Sequence, residues 1–124
     1  MEGKKILIIE DEEMMIAALT RKLIVSGFEV YSARDGREGL ERALELKPDL
    51  ILLDLILPVF DGLTFLEKLR VDPWGAKIPV IVLTNLSRVS AVEESRGHGV
   101  HHYLVKTDWK LEDVVQKIKS ELKL

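Results

Sequence analysis

Four places in the chain carry polar residues where an apolar run stops, and their types could do phosphorus chemistry together. Glu10 and Asp11 follow Ile6 to Ile9, Asp54 follows Asp49 to Leu53, Thr84 closes the run from Val80, and Lys106 follows His102 to Val105. If those runs are parallel strands, their ends lie on one edge, where open α/β sheets hold ligands. Two or three carboxylates, a hydroxyl and an ammonium would then converge. Two carboxylates about 4 Å apart repel by roughly 4 kcal/mol at an effective dielectric near 20. Three such pairs would rival a domain's whole stability of about 5–15 kcal/mol. A divalent cation, Lys106, or protonation of one acid must offset this. Oxygen-only ligands with open positions suit Mg²⁺, which keeps water and takes phosphate oxygens. The metal, Thr84 and Lys106 could each neutralise one oxygen of a phosphoryl group.

The elements that must position these groups are readable in order. Ile6 to Ile9 reads as a first strand, and Glu12 to Ser26 as a helix with Met15, Ile16, Leu19 and Leu23 on one face and Gly27 as its stop. Phe28 to Ala33 alternates like an edge strand. Asp35-Gly36 turns into a second helix with Leu40, Ala43 and Leu44 as its apolar stripe, ended by Lys47-Pro48. The third strand, Asp49 to Leu53, is apolar nearly throughout, as a strand buried on both faces should be. Pro58 then stops regular structure, and Asp61 caps a helix from about Gly62 to Val71, buried through Phe65, Leu66 and Leu69. A fourth strand spans Val80 to Thr84. Residues 88 to 98 form a weak helix, because Ser90, Ser95 and Gly97 have poor propensity. After a strand near His102 to Val105, the last helix is the clearest, with Leu111, Val114, Val115, Ile118 and Leu122 at helical spacing. Strands alternating with helices predict right-handed βαβ units and a doubly wound α/β sandwich with a five-stranded parallel sheet and five helices.

Composition fits one soluble domain over residues 1–124. The 124 residues are 47% hydrophobic and 31% charged, enough for a core without repeats or linkers. A formal net charge of −3 gives no electrostatic reason to expect nucleic acid or an anionic membrane as partner. Cysteine is absent, which excludes disulfides and thiolate metal sites and suits a reducing cytoplasm. The four apolar residues after Lys4-Lys5 are too few for a signal peptide or a spanning helix.

The polar clusters fall within a pattern that resembles the response-regulator receiver domain of two-component signalling, from about Lys4 to Leu122. It consists of Glu10-Asp11, the run Asp-x-x-x-Pro-x-x-Asp-Gly from Asp54 to Gly62, Pro-Val-Ile-Val-Leu-Thr ending at Thr84, and Tyr103-Leu-Val-Lys106. Each piece is weak alone, but four in order are specific. The resemblance implies a flavodoxin-like fold with strand order 2-1-3-4-5. It implies that Asp54 accepts a phosphoryl group from a histidine kinase or phosphotransfer protein, assisting its own phosphorylation and slow dephosphorylation rather than acting as an enzyme on a separate substrate. It further implies Mg²⁺ (or Mn²⁺) on Asp11, Asp54 and the backbone carbonyl of Ile56, with Glu10 acting through water. Thr84 and Lys106 would bind phosphoryl oxygens, and Tyr103 would be a switch that turns inward as Thr84 moves. Output would leave through the fourth helix, fifth strand and fifth helix toward an unknown protein target. Because the sequence stops with its last helix, the expectation is a receiver without an output domain, either a lone receiver acting by protein contact or a fragment of a longer regulator.

The chain departs from the family's usual residues at two places, and two more positions bear on water access. Asn85 stands where Ala or Gly is usual, and a larger amide there either narrows phosphodonor access or adds a hydrogen bond. Thr107 replaces the proline that usually follows the lysine, so a cis peptide would cost about 2.5–4 kcal/mol. Ile56 and Leu86 occupy the two positions that tune water access, and neither can orient water, which predicts slow autodephosphorylation.

Other readings compete. A pseudo-receiver would use the same fold as a phosphorylation-independent docking module, supported by Asn85 and Thr107 and opposed by intact Asp11, Asp54, Thr84 and Lys106. An aspartyl phosphatase would need a second acid at position 56, which is Ile. A flavin site would need a Ser/Thr/Gly-rich loop after the first strand. His98, His101 and His102 read as a solvated loop rather than a metal site, since Gly97 and Gly99 interrupt their alignment and no acid completes the set. Glu12 and Glu13 read as first-turn helix acids. Trp74 and Trp109 read as packing residues, with Trp109 close enough to the output face to anchor a partner.

Overall fold

A computed structural model describes residues 3–124. Five strands, β1 (Lys5–Ile9), β2 (Glu29–Ala33), β3 (Leu50–Leu53), β4 (Val80–Thr84) and β5 (His102–Val105), pair in parallel in the order β2-β1-β3-β4-β5. Between and after them run α1 (Glu13–Val25), α2 (Gly36–Leu46), α3 (Gly62–Val71), α4 (Val89–Gly97) and α5 (Leu111–Glu121), with a short 3₁₀ turn at Lys106–Asp108. The strand order is the flavodoxin-like one that the family resemblance implied.

Period-two geometry explains the unbroken apolar runs. Leu7, Ile9, Ile51, Leu53, Val80 and Val82 face α2, α3 and α4 and pack with Phe65, Leu66 and Leu69. Ile6, Ile8, Leu50, Leu52, Ile81 and Leu83 face the other way, onto Leu19 and Leu23 of α1 and Val114, Val115 and Ile118 of α5. Both faces of the sheet are buried, so both residue sets must be apolar. The register aligns Ile9 with Leu53, Leu53 with Val82, and Thr84 with Val105. The residues that follow these positions therefore emerge side by side on one edge.

Boundaries differ from the sequence reading in instructive ways. Asp49 lies outside β3, and its carboxylate accepts from the Lys5 N–H at 2.7 Å. Phe28 precedes β2 and is buried, closing α1 rather than joining the strand. Leu44 was expected in the apolar stripe of α2 but is 36% exposed; Gly36, Gly39 and Ala43 are the buried residues of this helix. A Cβ at Gly39 would come within 2.8 Å of the Ile9 side chain. The helix therefore rests its backbone on the sheet, and the buried stripe rotates toward its smallest residues. Asp61 caps α3 as expected, accepting from the Thr64 N–H at 2.9 Å. Among the described residues, no helix is long and apolar enough to cross a membrane.

Candidate functional site

Strand pairing sets the site before any side chain does. The Asp54 N–H donates to the Ile9 carbonyl at 2.9 Å, and the Glu10 N–H to the Ala33 carbonyl at 2.9 Å. Glu10 and Asp54 are thereby fixed on neighbouring strand ends, 3% and 5% exposed, with Asp11 exposed beside them. One carboxylate oxygen from each of Glu10, Asp11 and Asp54 lies within 4.8 Å of the others. Among the described residues this is the one group of three or more side chains suited to a metal.

Donors meet Asp54 from the other side. Thr84 Oγ1 donates to Asp54 Oδ1 at 2.6 Å, the Ile56 N–H donates to the same oxygen at 3.1 Å, and Lys106 Nζ donates to Oδ2 at 3.0 Å. Lys106 also pairs with Glu10 Oε1 at 2.8 Å and lies 3.5 Å from Glu12 Oε1. These residues border a cavity of about 350 Å³ lined by Glu10, Asp11, Glu12, Asp54, Ile56, Asn85 and Lys106. Four carboxylates thus face one ammonium.

Burial and these neighbours shift the proton affinity of both partners. Burial lifts the Glu10 carboxyl above its ordinary value, helped by the Asp54 charge and opposed by hydrogen bonds from Lys106 and the Glu12 N–H. Burial would lower the Lys106 ammonium, but its hydrogen bonds to Glu10 and Asp54 and their charges outweigh that and raise it. Lys106 is therefore a fixed cation, shared between two buried acids.

The structure brings together Glu10, Asp11, Asp54, Thr84 and Lys106. Tyr103 stands one step away, its hydroxyl donating to the Leu86 carbonyl while the Leu86 N–H donates to Thr84 Oγ1 at 3.2 Å. The ring is half-buried and points inward, linked to Thr84 through one residue's backbone. Sequence reasoning missed Glu12, which serves α1 as its cap position but also reaches Lys106. Its place two residues after Glu10 was the available signal. The Leu86 backbone was missed too, since no side-chain type announces it. Asn85 is exposed on the cavity rim, and the Lys106–Thr107 peptide is trans, the chain turning directly into the 3₁₀ segment. Near the histidines, Glu121 Oε2 lies 3.4 Å from His102 Nε2, a neighbour the sequence did not announce, but one acid and one ring complete no metal set.

The loop between β3 and α3 contains one strained residue. Val59 has φ of +70° and is 68% exposed, a left-handed conformation rare for a β-branched side chain. Its flanks hold it there: the Gly36 N–H donates to the Pro58 carbonyl at 3.2 Å, and Phe60 sits so close to Gly36 that a Cβ would fall 2.1 Å from its carbonyl oxygen.

A 2-1-3-4-5 parallel sheet with an acid pocket at its strand ends, and a hydroxyl and an ammonium on Asp54, places the chain among the flavodoxin-like α/β domains of receiver type. The chain belongs to the response regulator receiver domain family, matched over residues 6–119. It is 35% identical over 119 residues to the DNA-binding dual master transcriptional regulator RpaA of Synechocystis, covering 96% of this chain and 49% of that protein. It is 37% identical over 119 residues to the transcriptional regulatory protein PrrA of Mycobacterium tuberculosis, covering 96% and 50%. Among solved structures, a CheY-like receiver domain protein from Methanospirillum hungatei superposes with a TM-score of 0.89 at 28% identity, covering 98% of this chain and 95% of that one. The phosphorylated cyanobacterial phytochrome response regulator RcpA superposes with a TM-score of 0.80 at 32% identity, covering 95% and 90%. The chain spans about half the length of the curated relatives it matches. It is a receiver domain of the two-component response-regulator type, with an acidic pocket compatible with a divalent cation.

Proposed function

We propose that Asp54 is a phosphoacceptor. One of its carboxylate oxygens attacks the phosphorus of a phosphohistidine on a histidine kinase or phosphotransfer protein; the P–N bond breaks, the imidazole leaves with the electron pair and takes up a proton, and an acyl phosphate forms. The observation that carries this reading is the convergence on Asp54 itself: buried at a strand end, it accepts from Thr84 at 2.6 Å and Lys106 at 3.0 Å with two further acids alongside. Thr84 and Lys106 would transfer their hydrogen bonds from the carboxylate to the phosphoryl oxygens as charge develops there.

The donor set is oxygen-only and three carboxylates close, which fits Mg²⁺ or Mn²⁺. Asp11, Asp54 and the Ile56 backbone carbonyl would hold the ion, with Glu10 acting through water; when bound, it supplies positive charge for the phosphoryl oxygens. Thr84 then draws on the Leu86 backbone, and Tyr103, bonded to that same backbone, carries the change to the surface formed by α4, β5 and α5. The chain's net charge of −3 gives no electrostatic reason for nucleic acid or an anionic membrane as partner, so protein contact in the cytoplasm is the use proposed for that surface.

Incubation with acetyl phosphate and Mg²⁺ tests the proposal. Intact-mass measurement should show a gain of one phosphoryl group, absent in Asp54→Asn. No gain in the wild type, or an undiminished gain in Asp54→Asn, would refute it.

A further inference from the structure

The two ends of α4 are held very differently. At the N-terminal end, Arg88 occupies the cap position without a side-chain cap, no acid stands in the first turn, and residues 87 to 90 are all exposed. Only Ala91 and Ser95 of the helix are buried, and the Ser95 hydroxyl, fully buried, has no hydrogen-bond partner. A small buried stripe with an unmet hydroxyl grips its neighbours weakly. The C-terminal end is over-determined. Gly99, at φ of +80°, reverses the chain; its N–H donates to the Arg96 carbonyl at 3.0 Å, the Val100 N–H donates to the Ser95 carbonyl at 3.1 Å, and Val100 itself is buried. This is the paired closure of a Schellman turn, with its apolar residue in place.

Arg70 of α3 adds a bolt across that turn. Its Nε donates to the His98 carbonyl at 2.7 Å, while Nη1 donates to the carbonyls of Gly75 at 2.8 Å and Ile78 at 2.7 Å. Among the described residues no carboxylate pairs with it, so its half-buried charge is spent wholly on backbone carbonyls. One of them is the cap carbonyl of a helix C-terminus, where a cation is favoured. A rigid, forked guanidinium thus joins three segments: α3, the loop entering β4, and the turn after α4.

We infer that Arg70 is a pivot pin: it fixes the C-terminal end of α4 to the α3–β4 edge, so that a change arriving through Leu86 and Tyr103 moves the N-terminal part of the helix about that fixed end. The inference rests on the reading of Asp54 as phosphoacceptor only for the source of that change. It makes Arg70, in the last turn of α3 and not among the cavity-lining residues, a positioning residue for the signalling surface.

Amide hydrogen exchange on the whole domain decides it. The reporters are Ala91 and Val92, which donate to the Arg88 carbonyl, and Gly99 and Val100 of the turn. Two perturbations are applied separately: beryllofluoride with Mg²⁺, which mimics a phosphoryl group on Asp54, and Tyr103→Phe, which removes the bond to Leu86. Each should change exchange at Ala91 and Val92 and leave Gly99 and Val100 unchanged. Arg70→Met, which keeps the apolar stem, should speed exchange at Gly99 and Val100 about tenfold or more, the size expected for losing a charged donor. Under beryllofluoride the response of that variant should spread along the whole helix. Arg70→Lys, which keeps the charge but loses the fork, gives a smaller release and serves if the Met variant fails to fold; β1 and β3 amides report global stability.

The pin is overturned if Gly99 and Val100 respond with Ala91 and Val92 in the wild type, if neither perturbation moves Ala91 and Val92, or if both Arg70 variants leave the turn protected. Should beryllofluoride do nothing while Tyr103→Phe shifts Ala91 and Val92 alone, the phosphoacceptor reading falls and the pin stands.

Discussion

The two flanks of Asp54 are chemical opposites. Toward β1 stand Glu10, Asp11 and Glu12, acceptors only; toward β4 and β5 stand Thr84 and Lys106, which donate. An acid between acids suits a cation, and an acid between donors suits an anion. Asp54 belongs to both, and Lys106 crosses the divide by pairing with Glu10 at 2.8 Å as well as with Asp54. The difference teaches that the lysine substitutes for charge that a bound cation would otherwise supply, so the two flanks compete for one stabilising partner.

Removing that partner should produce the largest effect. Lys106→Met leaves Glu10 and Asp54 buried without their cation, and breaking a buried pair costs about 3 kcal/mol or more. Urea unfolding in metal-free buffer near neutral pH measures this. The Glu10 carboxyl, already raised chiefly by burial, then takes up a proton more readily. A group with a raised folded value favours the native state on its acid side and loses that contribution as pH rises through the folded value. The penalty in Lys106→Met should therefore shrink in mild acid; a penalty that stays constant or grows there would break the comparison.

Mg²⁺ tests the acidic flank with an intermediate effect. At about a hundred times its dissociation constant, a bound ion adds about 2.7 kcal/mol to stability. The wild-type melting midpoint should rise accordingly, and Asp11→Asn should lose most of that rise while the metal-free domain becomes no less stable. An undiminished shift in Asp11→Asn would place the cation elsewhere.

The smallest effect concerns water at the mouth between the flanks. Ile56 is 53% exposed on the cavity and Leu86 packs against the core, both apolar. Replacing them together by Ile56→Asn and Leu86→Glu should shorten the phosphate half-life, followed by the decay of phosphorylated protein after donor removal. A half-life little altered would show that these positions do not limit water.

Much of the sheet and its rim was legible because strand ends are marked by a change from apolar to polar residues. Val80–Thr84 and Gly62–Val71 fall where the sequence places them, since an acid cap and an unbroken buried run are local signals. Leu44 was misplaced because helical periodicity weighs hydrophobicity and cannot see glycines letting a helix backbone settle on Ile9. Glu12 was read as a helix acid because its reach to Lys106 spans 94 residues of sequence. Glu121 beside His102 was invisible for the same reason, the two meeting only once α5 packs on β5. Side-chain types named the chemistry of the pocket; backbone partners such as the Leu86 carbonyl and N–H had no signature to read.

The left-handed Val59 has a consequence for how a ligand would be met. A conformation that costs about 1–3 kcal/mol persists only where its surroundings leave no alternative, and here Gly36 and Phe60 supply that constraint. The segment bearing Ile56 is thus set during folding rather than on encounter. An ion entering there would find its rim preorganised, since the ordering entropy that weakens association at softer loops has already been met by the domain itself.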